Sequence, residues 1–234
     1  MKKITAAVLF LFTLIMFTAG NSYAQVKQFG PGGSSQPGGK QVVKQKPFNG
    51  PEQTIIAGFW KDNPSLRFNK ETTTEIPYEL GYAFQSSKKG QVTQLGVRMP
   101  RDGAGAGIAL AYTVSLWDYD TRLLLAQTSI TTTDIRFTYK TLDNPASIEA
   151  NKKYVVSVFI KPVNTAQTSW SYYSILLPGN NNSAASFIPF TQGTLTLLNT
   201  QSVSTNTTAF PENTGYHKDM VTGICDVVFK TTEK

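Results

Sequence analysis

From Glu52 onward, apolar and polar residues alternate with a period of two in a series of short runs. In "AYTVSLW", Tyr112, Val114 and Leu116 fall on one side, with Thr113, Ser115 and Trp117 on the other. In "KKYVVSVFIKP", Tyr154, Val156, Val158 and Ile160 share one face, and Val155, Ser157 and Phe159 the other. "GQVTQLGVRMP" sets Val92, Gln94 and Gly96 against Thr93, Leu95 and Val97, and "GICDVVFK" ends the series. Side chains of a strand point alternately to its two faces, so this spacing, rich in Val, Ile, Thr, Tyr and Phe, predicts half-buried strands. Breakers separate the runs: 100–107, Asp143-Asn144-Pro145, Lys161-Pro162 and Pro178-Gly179-Asn180. No stretch after Glu52 carries a sustained helical stripe, and no internal repeat recurs at a fixed period. Many short strands with regular turns predict an all-β fold, an antiparallel two-sheet sandwich of jelly-roll type, over residues 52–234.

The first 51 residues have a different character. Lys2 and Lys3 precede an apolar run, 4–17, and Ser22-Tyr23-Ala24 offers the small residues a signal peptidase inspects. Residues 1–24 therefore read as a signal peptide cleaved before Gln25, and the run is short for a membrane span. The expected address is secreted: periplasmic, extracellular or on the cell surface, with no span left after cleavage. Residues 25–51 hold six Gly and four Pro with little apolar content, and read as a linker.

This division changes the meaning of the charge. The chain carries 22 Lys and Arg against 15 Asp and Glu, a net +7. From Glu52 on, 16 basic residues face 15 acidic ones, so the basic excess lies in the leader and linker. A basic groove for nucleic acid is not supported.

Candidate chemistry is sparse. Cys225 is the single cysteine, so no internal disulfide forms, and its apolar setting predicts a buried thiol. His217 is the single histidine, which rules out multi-His metal sites. His217, Asp219 and Glu212 are the one late cluster with titratable groups, in a stretch that reads as a surface loop. "RDGAGAGIALA" is Gly-rich but lacks the Gly-Lys-Ser/Thr of a phosphate loop and reads as a plain loop. "DYDTR" lies between two strands, 112–117 and 123–130, and Asp118 and Asp120 there suit turn chemistry. Calcium is the alternative for this pair; it needs more oxygen ligands, which Asp102, Asp143 or Asn144 would supply if their loops converge. Otherwise no cofactor and no metal are expected. Trp117 reads as a sheet-face or core residue, and Trp60, before a turn, as a cap on one end of the sandwich.

The stretch "QTSWSYYSILLPGNNNS" offers a binding surface. Alternation places Trp170 and Tyr172 on one face, followed by the amide-rich Asn180, Asn181 and Asn182. Exposed rings stack on sugar C–H faces and nearby amides bond hydroxyls, so these five residues are the candidate glycan site. The expected function is a non-catalytic module that binds a glycan or envelope polymer. A structural role, docking to a protein partner, is the alternative.

From 79 to 229 the motifs resemble a bacterial module catalogued as family 4082 of the domains of unknown function. They run in order: "ELGYAFQSSKKGQVTQLGVRM", "YTVSLWDYDTRLLLAQTSI", "FTYKTLDNPASIEANKKYVVSV" and "GICDVVF". The resemblance implies a jelly-roll-like sandwich found in secreted and surface proteins, beside glycan-handling modules and without known catalysis. Here the region before Leu116-Trp117 is "AYTVS" where the family often has His, and a Trp common before the central Phe is missing near Phe137.

Overall fold

A computed structural model describes residues 50–73, 77–100, 110–132, 135–161, 170–177, 185–215 and 217–232. The leader and nearly all of the linker lie outside the described residues, as do 101–109 and Asn180, Asn181 and Asn182. The chain from Gln45 on forms one compact unit. In order it contains β1 (Glu52–Thr54), α1 (Ile56–Asp62), β2 (Arg67–Thr73), β3 (Tyr78–Ser86), β4 (Gly90–Val97) and β5 (Leu110–Asp118). Next come β6 (Leu124–Thr132), β7 (Thr138–Ile148), β8 (Lys153–Ile160), β9 (Trp170–Leu176) and β10 (Phe190–Gln192). β11 (Leu195–Ser204), β12 (Asn213–Thr214), β13 (Met220–Thr222) and β14 (Cys225–Thr231) complete it.

The seven-stranded sheet has the order β10-β11-β3-β8-β5-β6, with β12 added to β11. A four-stranded sheet, β1-β14-β4-β7, and a three-stranded one, β13-β9-β2, complete the fold. The pairings are antiparallel and the sheets pack against one another, an all-β sandwich as the alternation predicts. In β5 and β8 the core faces of the large sheet are the ones read from sequence, Tyr112, Val114 and Leu116 in the first and Tyr154, Val156, Val158 and Ile160 in the second; β3 adds Leu80, Tyr82 and Phe84. Leu95, Val97, Val227 and Phe229 answer from β4 and β14. Removing any of these large side chains costs on the order of 2–5 kcal/mol, because the close-packed neighbours refill the space only in part. Cys225 is buried among them, its thiol directed at the Val156 carbonyl at 3.5 Å.

Three local features depart from the sequence reading. α1 is a seven-residue helix where no helical stripe is legible; it is too short to establish a period and is held by a tertiary contact. Asp143-Asn144-Pro145 does not break a strand but lies inside β7, where the register jumps from Val92↔Ala146 to Gln94↔Thr141. β7 is an edge strand, and a bulge there accommodates a proline that a central ladder would reject. Register shifts at the same place also reset the phase of β4, so Val92, Leu95 and Val97 all reach the core.

Candidate binding site

On the outward side of the four-stranded sheet, Tyr139, Gly96 and Asp226 form one row across β7, β4 and β14. A Cβ on Gly96 would lie 2.4 Å from the Tyr139 ring, so only glycine lets the ring lie across β4. The Tyr139 hydroxyl thereby reaches Asp226 and donates to Oδ2 at 2.9 Å. The start of α1 docks on the same carboxylate. Ile55 and Ile56 N–H donate to Oδ1 at 3.0 and 3.2 Å, and Ala57 N–H to Oδ2 at 2.9 Å. Asp226 is fully buried, and burial raises its pKa against the pull of the Ala57, Val227 and Ile56 N–H groups and the Tyr139 hydroxyl. These partners all donate, so the side chain serves as acceptor for a helix end that lacks partners of its own. Burial and the Asp226 charge raise the Tyr139 pKa, which keeps its hydroxyl a donor.

Held there, α1 presents Trp60 to an aromatic cluster drawn from three other elements or their flanks. Phe68 of β2 meets Trp60 edge-on at 5.3 Å, and Phe137, stacked on Tyr139, lies 6.3 Å away. Tyr173 of β9 closes on Phe68 at 5.7 Å. Into this cluster Arg98, just past β4, inserts its guanidinium, 3.8 Å from the Phe68 ring centre and 4.7 Å from that of Trp60. A guanidinium over ring faces adds roughly 0.5–2 kcal/mol per contact, more where water is excluded. The rings are therefore fixed in place, yet Trp60 keeps 37% of its surface exposed.

Two recesses flank Trp60 and α1. One is an open apolar depression of about 550 Å³ lined by Ala57, Trp60, Lys61 and Pro64. The other is a polar cleft of about 260 Å³ lined by residues that include Glu52, Gln53, Lys61, Asp62 and Gln192. Lys61 borders both. Gln192 donates to Asp62 at 2.8 Å, and Gly58 leaves it room, since a Cβ there would lie 2.9 Å from its Cγ. An apolar ring beside amides and carboxylates can stack on a sugar ring and bond its hydroxyls.

The sequence-predicted residues fall elsewhere. Trp170 opens β9 opposite Thr73, at the other end of the β2 ladder from Phe68, which pairs with Ile175; its side chain is outside the described residues. Tyr172 is half-buried and packs against the core. The Asp118–Asp120 loop is a tight hairpin. Asp118 Oδ1 accepts the Asp120 and Thr121 N–H groups at 3.1 and 3.0 Å, Oδ2 pairs with Lys152, and Arg122 takes φ 58° to close the turn. Burial would raise the Asp118 pKa, but Lys152 and Thr121 outweigh it and bring it to about 2. Asp143 and Asn144 are in β7, and Asp102 is outside the described residues. Among the described residues no group of three or more His, Cys, Asp or Glu converges. His217 and Asp219 approach to 3.6 Å at the surface, but Glu212 instead pairs with Arg122 at 3.0 Å. No helix of the described residues is long and apolar enough to cross a membrane.

Trp60 reads from sequence only as an end cap, and Arg98 and Asp226 carry no sequence expectation. The signal for Asp226 is an acid inside the apolar run "GICDVVF", since a charge in such a run needs partners. Residues 65–219 match the profile of a family described as a domain of unknown function (DUF4082). No curated protein matches the chain.

Proposed function

The chain belongs to the DUF4082 family, and we propose that it is a secreted, non-catalytic module that recognises a glycan or cell-envelope polymer through the face around Trp60. One observation carries this reading: a half-open indole, locked by Phe68 and Arg98, stands between an apolar depression and a polar cleft. A ring held in its binding pose loses little conformational entropy when a ligand stacks on it. The groups with displaced pKa values fall in three places: Asp226 with Tyr82, Tyr139 and Cys225, Asp118 with Lys152, and Glu79 alone. The first and last are shut in the interior and the second is a hairpin ion pair, so none is gathered in an open cleft, which supports binding over catalysis. The test is a glycan array probed with residues 25–234 in calcium and in chelator, alongside Trp60→Ala. Binding that survives chelation and drops at least tenfold in the variant is expected. Binding that disappears with chelator alone would move the site to a calcium centre.

A second reading, docking to a protein partner, has its own support. Leu123, Leu124 and Leu125 at the β5–β6 hairpin are 63%, 46% and 40% exposed, and β6 is an edge strand. An array without any specific signal, together with loss of self-association or partner capture in Leu123→Ser/Leu125→Ser, would favour it.

A further inference from the structure

The outer face of the seven-stranded sheet holds a carboxyl that the Trp60 site does not use. Glu79 stands on β3 between Val203 of β11 and Phe159 of β8, pointing away from the main core. It is fully buried. Its Oε1 accepts the Ser157 hydroxyl at 2.6 Å, and the Ser157 oxygen in turn accepts the Trp117 indole N–H at 2.9 Å. Its Oε2 is buried with no hydrogen bond.

Residues 205–215 cover this face as a strap. Phe210 packs edge-on against Trp117 at 6.1 Å and Tyr119 at 6.3 Å, over the small apolar cluster of Ala83, Trp117 and Val155. Backbone hydrogen bonds hold its two ends, Thr205 N–H to the Pro77 carbonyl and Gly215 N–H to the Thr200 carbonyl, both at 2.9 Å. Between them the Ala209 backbone approaches Glu79, and Arg122 lies 5.5 Å from the Phe210 ring centre. The other ties are slight. β12 pairs with β11 over two residues, Gln201 donates to the Thr214 hydroxyl at 3.2 Å, and Arg122 meets Glu212 in an exposed ion pair. Such pairs are weak in water. The strap brings no cation to the buried acid. Nor do its other neighbours: β11 offers Gln201 and Val203, and β5 offers Thr113, Ser115 and Trp117. Behind β3 lies the Cys225 thiol, and past the end of β8 Lys161 sits over the Phe159 ring at 6.0 Å. Burial raises the Glu79 pKa to about 7; the Ser157 hydroxyl and, least, the Ala209 backbone lower it.

We propose that residues 205–215 form a proton-controlled latch, closed over Trp117, Ser157 and Glu79 while Glu79 holds its proton and released when it ionises. A neutral carboxyl tolerates one oxygen without a partner; a carboxylate in the same place needs water or a donor. Lifting the strap admits water and uncovers Trp117, Ala83 and Val155 as a fresh surface. The latch shares no residue with the Trp60 site, which is built around α1.

The test is hydrogen exchange of residues 205–215 in the full chain from pH 5 to 8.5, corrected for the intrinsic exchange rate. In the wild type the opening constant is expected to rise at least tenfold and to level off above about pH 7, since each pH unit between the open-state and closed-state pKa values changes it tenfold. Glu79→Gln removes the rise. Ser157→Ala removes a bond that favours the ionised form and moves the rise to higher pH. A flat wild-type profile, the same rise in Glu79→Gln, or an unmoved midpoint in Ser157→Ala would each overturn the latch; the last decides the matter if the Gln variant does not fold.

Discussion

Both outer faces of the sandwich are crossed by a covering segment, and under each cover lies a buried acid. On the four-stranded sheet α1 covers Asp226; on the seven-stranded sheet the strap covers Glu79. The difference is in what the cover offers. α1 arrives with backbone N–H groups from residues 55 to 57 aimed at the carboxylate, so the acid ties the cover down. The strap arrives with a phenyl ring and a single backbone contact, from Ala209, the weakest of the influences on the carboxyl, and it leaves Glu79 Oε2 without a hydrogen bond. A buried acid therefore clamps or loosens its cover according to the donors that cover supplies. The first arrangement yields a rigid platform for Trp60, the second a cover sensitive to protons.

The largest way to break this comparison is Asp226→Ala. It leaves four backbone donors, of Ile55, Ile56, Ala57 and Val227, and the Tyr139 and Tyr82 hydroxyls without their acceptor, and should cost about 3–5 kcal/mol by urea unfolding. A loss under about 1 kcal/mol would mean that α1 is held by its apolar contacts alone. Glu79→Gln should act in the opposite direction and only where Glu79 is charged. The folded chain holds the Glu79 proton more tightly than the unfolded chain, so stability is full below pH 4.5. It falls as pH rises from 4.5 to about 7 and is flat above that. Relative to the wild type, the Gln variant should gain up to about 3 kcal/mol at pH 8 and nothing of this kind at pH 4. Equal differences at the two pH values would show that the charge is not the cause.

The smallest effect lies at the hairpin. Asp118 has its pKa lowered to about 2, so the stability it contributes is present above pH 3.8 and is lost as pH falls through about 2. Asp118→Asn should remove the part of the acid-induced drop in urea midpoint that falls within this window. An unchanged pH profile in the variant would deny the Lys152 pairing any energetic role.

The strand faces were legible because alternation acts locally: Val114 and Leu116 point inward whatever their partners are. The turn role of Asp118 was legible for the same reason, since its N–H partners lie two and three residues away. The candidate site was not. Trp60 depends on Asp226, about 170 residues later, and on Phe68, Arg98, Phe137 and Tyr173, which only the sheet order brings together. Glu79 and Asp226 both look like single acids in apolar runs. What separates them is the covering segment, and no spacing in the sequence gives its donors.

The most direct test of the central claim, a rigid aromatic platform that binds a glycan, compares three proteins on one glycan array at pH 6 and pH 8: wild type, Trp60→Ala and Trp170→Ala/Tyr172→Ala. The account predicts a wild-type signal that is the same at both pH values, lost in Trp60→Ala and kept in the double variant. A signal that survives Trp60→Ala and disappears in the double variant would contradict it and place the ligand on the β9 face instead.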